Sequence, residues 1–173
     1  QDFTGAKLAL FIGGQLAVIR RDDTPGLPHP GKLDLPGGGR ENAETPEACV
    51  MRELKEELGL TLPQTALQTA RFFTTPVRAW FFSAQLPAAR ADDIVFGEEG
   101  QSWSLMDPWD FIEADDAVPH FRDRVRAILT FAPDRPVKRV ICNDEAISRH
   151  SGDVIQASSR CGDRISGRVN RAP

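Results

Sequence analysis

Residues 38–60 read GGRENAETPEACVMRELKEELGL. Thr45-Pro46 supplies an N-cap and a first helical residue, because proline lacks an N–H that this position leaves unused. Gly59 supplies the left-handed residue that ends a helix. About three turns lie between them. At about 100° per residue, Val50, Met51, Leu54 and Leu58 share an arc of about 100° and face a core. Glu53, Glu56 and Glu57 share a neighbouring arc. They are related as i, i+3 and i+4, so their carboxylates are expected to converge. Like charges this close raise one another's pKa unless a cation sits among them. Hard oxygen ligands suit Mg²⁺ or Mn²⁺, which also bind phosphate oxygens. The alternative is a solvated acidic face with Arg52 and Lys55 interspersed.

The run Pro36-Gly37-Gly38-Gly39 precedes the helix. It has no evident packing use, and glycines let backbone approach a ligand closely. A carbonyl of Gly37 or Gly38 is a candidate further metal ligand. Upstream, Lys7–Ile12 and Gln15–Arg20 are apolar runs joined by Gly13-Gly14, the pattern of a β-hairpin. Residues 22–32, DDTPGLPHPGK, form a Pro/Gly loop in which His29 reads as an exposed loop residue. Leu33-Asp34-Leu35 is a short strand leading into the glycines.

Downstream, Thr65–Phe73 and Val77–Leu86 read as two strands separated by Thr74-Thr75-Pro76. The second, VRAWFFSAQL, puts Trp80 and Phe82 on one face. Residues 87–100 read as an acidic loop and Gln101–Met106 as a last short strand. Pro108–Glu113 reads as a short helix. Val118–Phe131 reads as a longer helix with Phe121, Val125, Ile128 and Leu129 on one side.

The chain's 173 residues, 40% apolar and 27% charged, suit one globular domain with a substantial core. No run of 18 apolar residues predicts a membrane span, and no leader is visible. Cys49, Cys142 and Cys161 are odd in number and fit no disulfide framework, which predicts a reducing, cytoplasmic setting. With His150, the latter two lack the spacing of a Zn site. Residues 1–134 hold 13 Lys and Arg against 21 Asp and Glu, whereas residues 135–173 hold 8 against 4. The acidic part is a poor match for duplex nucleic acid and must handle polyanions through metal ions and a few local cations. Residues 133–173 contain no Leu, Phe or Trp. They read as a polar, basic tail, probing no core of their own, appended to a domain over 1–132.

The run from Gly38 through Glu44 to Arg52-Glu53-Leu54-Lys55-Glu56-Glu57-Leu58-Gly59-Leu60 resembles the signature of the Nudix hydrolases at all nine specified positions. The approach GKLDLPGGGR and the stretch GEEGQSW at 97–103 are similar to the MutT-type branch of that family. The resemblance spans about residues 5–132. It implies an α/β fold, an α/β/α sandwich on a mixed sheet, with the glycine loop and helix binding the metal. It places a further acidic ligand at Glu99, with Glu98 the adjacent rival, and an arginine near the nucleotide at Arg21. One departure stands out. Where that branch's 8-oxo-guanine readers carry Asn before the proline of the last helix, this chain has Ala117-Val118-Pro119, which offers no polar side chain.

The expected function is divalent-metal-dependent hydrolysis of a nucleoside diphosphate linked to another group, with a nucleoside or deoxynucleoside triphosphate foremost. Glu56, Glu57 and Glu99 are the expected metal ligands, and Glu53 is a ligand or the general base. Arg52 is expected to tie helix to loop by pairing with Glu44. Phe72, Trp80 or Phe82 is a candidate to stack a base. The competing expectations are a nucleotide-binding regulatory domain without turnover, and hydrolysis of ADP-ribose, a nucleotide sugar or a capped RNA end.

Overall fold

The computed structural model describes residues 2–131. The tail reading over residues 133–173, with Cys142, His150 and Cys161, lies outside the described residues. The expected hairpin forms from β1 (Gly5–Ile12) and β2 (Gln15–Arg20). Its turn uses Gly13 and Gly14, both at positive φ. β3 (Leu33–Asp34) and β4 (Gly37–Gly39) follow, then α1 (Pro46–Leu58). β5 (Leu67–Phe73), β6 (Ala79–Leu86) and β7 (Ser102–Met106) complete the strands, and α2 (Pro108–Glu113) and α3 (Pro119–Phe131) close the described chain. Two short 3₁₀ turns, Gln64–Ala66 and Ala88–Asp93, stand where a strand start and a loop were expected.

The strands form one mixed sheet in the order β3-β2-β1-β6-β5, with β4 paired to β1 and β7 to β2. β1 and β6 pair in parallel, Lys7 opposite Phe81 and Leu8 opposite Phe82, while the other pairings are antiparallel. Strand alternation then divides the core in two. Leu8, Leu10, Ile12, Ile19 and Phe82 pack under Cys49, Val50, Leu54 and Leu58 of α1. Ala9, Phe11, Val18 and Phe81 pack under Phe111 and Ile112 of α2, Val118 just before α3, and Phe121 and Val125 of α3. Helices on both faces make the α/β/α sandwich, and each large side chain so buried contributes about 1.5–3 kcal/mol.

α1 begins and ends where its sequence says. Thr45 Oγ1 accepts from the Ala48 N–H at 3.2 Å, Pro46 opens the helix, and Gly59 closes it at φ 67°. Among the described residues no helix is long and apolar enough to cross a membrane.

The glycine run departs from expectation: it does have a packing use. β4 lies antiparallel against the start of β1, Ala6 opposite Gly38 and Lys7 opposite Gly37. Gly37 sits at φ 122°, and a β-carbon there would run into the Ala6 carbonyl oxygen. A β-carbon on Gly38 would lie 2.6 Å from the carboxylate of Glu53. These residues are glycine because a strand and a buried carboxylate press on them from two sides.

Candidate active site

A cavity of about 600 Å³, within the size range of small-molecule sites, is lined from α3, from the glycine run and from Glu53 and Glu57 of α1. Its lining divides by chemistry. The chain from β1 through α1 supplies charge and polar backbone: Lys7, Arg21, Asp34, Gly37–Gly39, Glu53 and Glu57, joined by Glu99 from the segment before β7. Residues 76–77, Val118 and α3 supply apolar surface: Pro76, Val77, Val118 and Phe121, together with His120 and Arg124.

Asp34 anchors the cations. It is 3% exposed, and its Oδ2 accepts from Lys7 Nζ at 3.0 Å and from Arg21 Nη1 at 2.6 Å. Its Oδ1 accepts from the Leu35 N–H at 2.6 Å. One carboxylate shared by two cations leaves a net positive charge facing the cavity.

The glutamates of α1 stand differently from the expected convergence. Glu57 accepts from the Gly37 N–H at 2.7 Å. Burial pushes its carboxyl up to about 7, against the pull of Lys7 and that N–H. Glu53 lies against Gly38, and burial raises its carboxyl too, opposed by Arg52. Glu56 is exposed, is absent from the cavity lining, and accepts from Arg52 Nη1 at 2.8 Å. Arg52 also reaches Glu53 at 3.0 Å and Glu44 at 3.0 Å and donates to the Gly39 carbonyl at 2.8 Å. The expected Arg52–Glu44 tie is therefore present, and it holds the Glu44 carboxyl down to about 2. The same guanidinium pairs with Glu44, Glu53 and Glu56, because one cation with five donors satisfies several carboxylates at once.

The donor chemistry of this cavity fits a hard divalent ion. Glu53, Glu57 and Glu99 offer only oxygens, and burial leaves the first two short of compensating charge. Among the described residues no three acidic, histidine or cysteine groups stand gathered as an ion would need. Of the two acidic residues left open by the sequence, Glu99 lines the cavity and Glu98 does not.

The aromatic expectation is corrected. Phe72, Trp80 and Phe82 do not line this cavity. Phe82 is fully buried on the α1 side, where Phe72 and Trp80 pack beside it with ring centroids 5.4 Å apart, and Trp80 stacks on Phe82 at 6.1 Å. The ring that does line the cavity is Phe121. His29 is half-buried rather than exposed, 5.9 Å from the His120 ring. Lys7, Asp34, His120 and Arg124 escaped the sequence reading. A signal was available for two of them: Lys7 lies in the otherwise apolar strand β1, and Asp34 between Leu33 and Leu35. Burial pulls the His120 imidazole down to about 4.

Residues 6–127 match the model of the NUDIX domain family. The chain is 37% identical over 78 residues to the 8-oxo-dGTP diphosphatase of Escherichia coli (strain K12), a match spanning 43% of this chain and 57% of that protein. The fold is similar to a mutT/nudix family protein from Listeria innocua, with TM-score 0.62, 20% identity, and coverage of 75% of this chain and 92% of that one. It is also similar to the MutT protein from Methanosarcina mazei Go1, with TM-score 0.60, 21% identity, and coverage of 74% and 93%.

Proposed function

The chain belongs to the Nudix family, and from that premise we propose that it hydrolyses the pyrophosphate link of a nucleoside diphosphate joined to another group, a nucleoside or deoxynucleoside triphosphate foremost. One observation carries this reading: the buried carboxylate Glu53 and the half-buried Glu57 share a cavity with the cations Lys7 and Arg21. The kinship to a diphosphatase acting on a nucleotide supports the same class of substrate.

Lys7 and Arg21 attract the phosphates and orient them by hydrogen bonds, while Asp34 pairs with both. Glu53, Glu57 and Glu99 would hold Mg²⁺ or Mn²⁺ with a carbonyl of Gly37 or Gly38, and Glu56 would join them on leaving Arg52. Such an ion supplies neutralisation of the phosphate oxygens and a more acidic water. Glu53 is a ligand or takes the proton of the attacking water, a role its raised carboxyl suits.

The test is turnover of a nucleoside triphosphate, with Mg²⁺ affinity measured by calorimetry, for Glu53→Gln, Glu56→Gln and Glu57→Gln. Glu56→Gln and Glu57→Gln are each expected to cut turnover by at least about a hundredfold, as lost stabilisation of transition-state charge implies. A Glu53→Gln variant that binds Mg²⁺ normally yet does not turn over identifies the base; joint loss identifies a ligand. Near-normal turnover in both Glu56→Gln and Glu57→Gln overturns the reading.

A further inference from the structure

Arg124 is a cation that the proposed chemistry does not use. It is 4% exposed, yet it lines the cavity. Its Nη2 donates to the Thr75 carbonyl at 3.1 Å, while its Nη1 is buried with no hydrogen-bond partner among the described residues. No carboxylate among the described residues pairs with it. Aromatic rings surround it instead, with the guanidinium carbon 4.0 Å from the Phe73 ring centroid and 5.4 Å from that of Phe121. A buried donor without an acceptor is costly, and it is retained where a ligand completes it.

We propose that Arg124 reads the base of the bound nucleotide by donating from Nη1 to the carbonyl oxygen of a 6-oxopurine, with the base lying against Phe121. This deepens, and rests on, the reading of the cavity as a nucleotide site. The apolar part of the lining, Pro76, Val77, Val118 and Phe121, suits a flat ring better than a phosphate, which the cations near Asp34 serve. Arginine has donors and no acceptor. Guanine and hypoxanthine present O6 and N7, both acceptors, on one edge; adenine presents an amino donor in place of O6. An arginine here therefore favours the oxo base and disfavours the amino base. Although burial pulls the guanidinium down to about 10, it stays protonated at neutral pH.

The experiment measures binding of guanosine, inosine and adenosine 5′-monophosphates by calorimetry, with Mg²⁺ present, to the wild-type chain, Arg124→Lys and Arg124→Met. The expected result is wild-type affinity at least about tenfold higher for the guanosine and inosine compounds than for the adenosine compound. Arg124→Met should erase that difference and leave the adenosine affinity within about twofold, with Arg124→Lys intermediate. Equal weakening of all three by Arg124→Met would assign it a structural or phosphate-holding role and overturn the proposal. So would a wild-type protein that binds the three equally or binds none. The wild-type comparison needs no variant, so a misfolded Arg124→Met does not remove the test. Turnover of guanosine triphosphate by the same wild-type preparation tests the hydrolase reading separately: an inactive protein that still prefers the oxo bases sinks that reading and keeps this one.

Discussion

Arg52 organises the acidic surroundings of the cavity at the scale of single residues. It holds Glu44 with two nitrogens, Nη2 at 3.0 Å and Nε at 3.3 Å. The Glu44 carboxyl is held at about 2 in the folded chain, chiefly by Arg52, against an ordinary value of 4.5. The folded state therefore binds this proton less readily than the unfolded one. Its stabilisation is fully present above about pH 4.5 and is lost as the pH falls towards 2. Glu44→Gln is expected to lower the melting temperature at neutral pH and to flatten its decline between pH 4.5 and 2. An unchanged slope in melts across that window would count against the pairing. The neighbouring glycines separate chemistry from stability. Gly38→Ala forces the Glu53 carboxylate aside, so turnover should fall at least about tenfold with a small loss of stability. Gly37→Ala meets backbone at a positive φ, so it should cost about 1–3 kcal/mol in denaturant titrations. Equal effects from the two substitutions would contradict this division.

Each element carries its contribution on one face. α1 places Cys49, Val50, Leu54 and Leu58 against the sheet and presents Glu53 and Glu57 towards β4 and the cavity. The helix position and the carboxylate position are therefore the same quantity, and loosening the core face moves the site. Leu54 is fully buried at the middle of that face. Leu54→Ala is expected to cost about 2–5 kcal/mol in urea or guanidinium unfolding, since the sheet beneath cannot collapse into the space. A cost under about 1 kcal/mol would show that α1 is not packed as described. α3 works likewise: Phe121 and Val125 hold it to the sheet while Arg124, on the same flank, borders the cavity.

For the whole molecule, the family match spans residues 6–127 and ends before the polar stretch 133–173. We therefore expect a chain ending near Ala132 to keep the melting temperature within a few degrees and turnover within about twofold, where about 1 kcal/mol would shift a domain of this size by roughly 2–8 °C. A larger loss in either measurement would assign residues 133–173 a part in the core or the site.

The sequence by itself determined the elements whose signals are local. Thr45-Pro46 and Gly59 bounded α1, Gly13-Gly14 turned the hairpin, and apolar spacing marked the core sides of α1 and α3. The nine-position signature marked Glu53, Glu57 and the glycine run, and the Arg52–Glu44 pair was legible from it. Tertiary structure decided which face of the sheet opens to the cavity. Strand alternation says that Trp80 and Phe82 share a side and Phe81 takes the other, but parity alone does not say which side α1 covers. The packed fold settled it: Phe82, opposite Leu8 in the parallel pair, is buried on the α1 side with Trp80 packed beside it, and Phe81 is buried on the α3 side, where Phe121 lines the cavity. Tertiary structure also decided the partners of buried charge. Lys7 and Arg21 meet Asp34, and among the described residues Arg124 meets Thr75 and aromatic rings. Such pairings join residues far apart in the chain, and burial makes their charges costly unless partnered, so only the packed fold selects them.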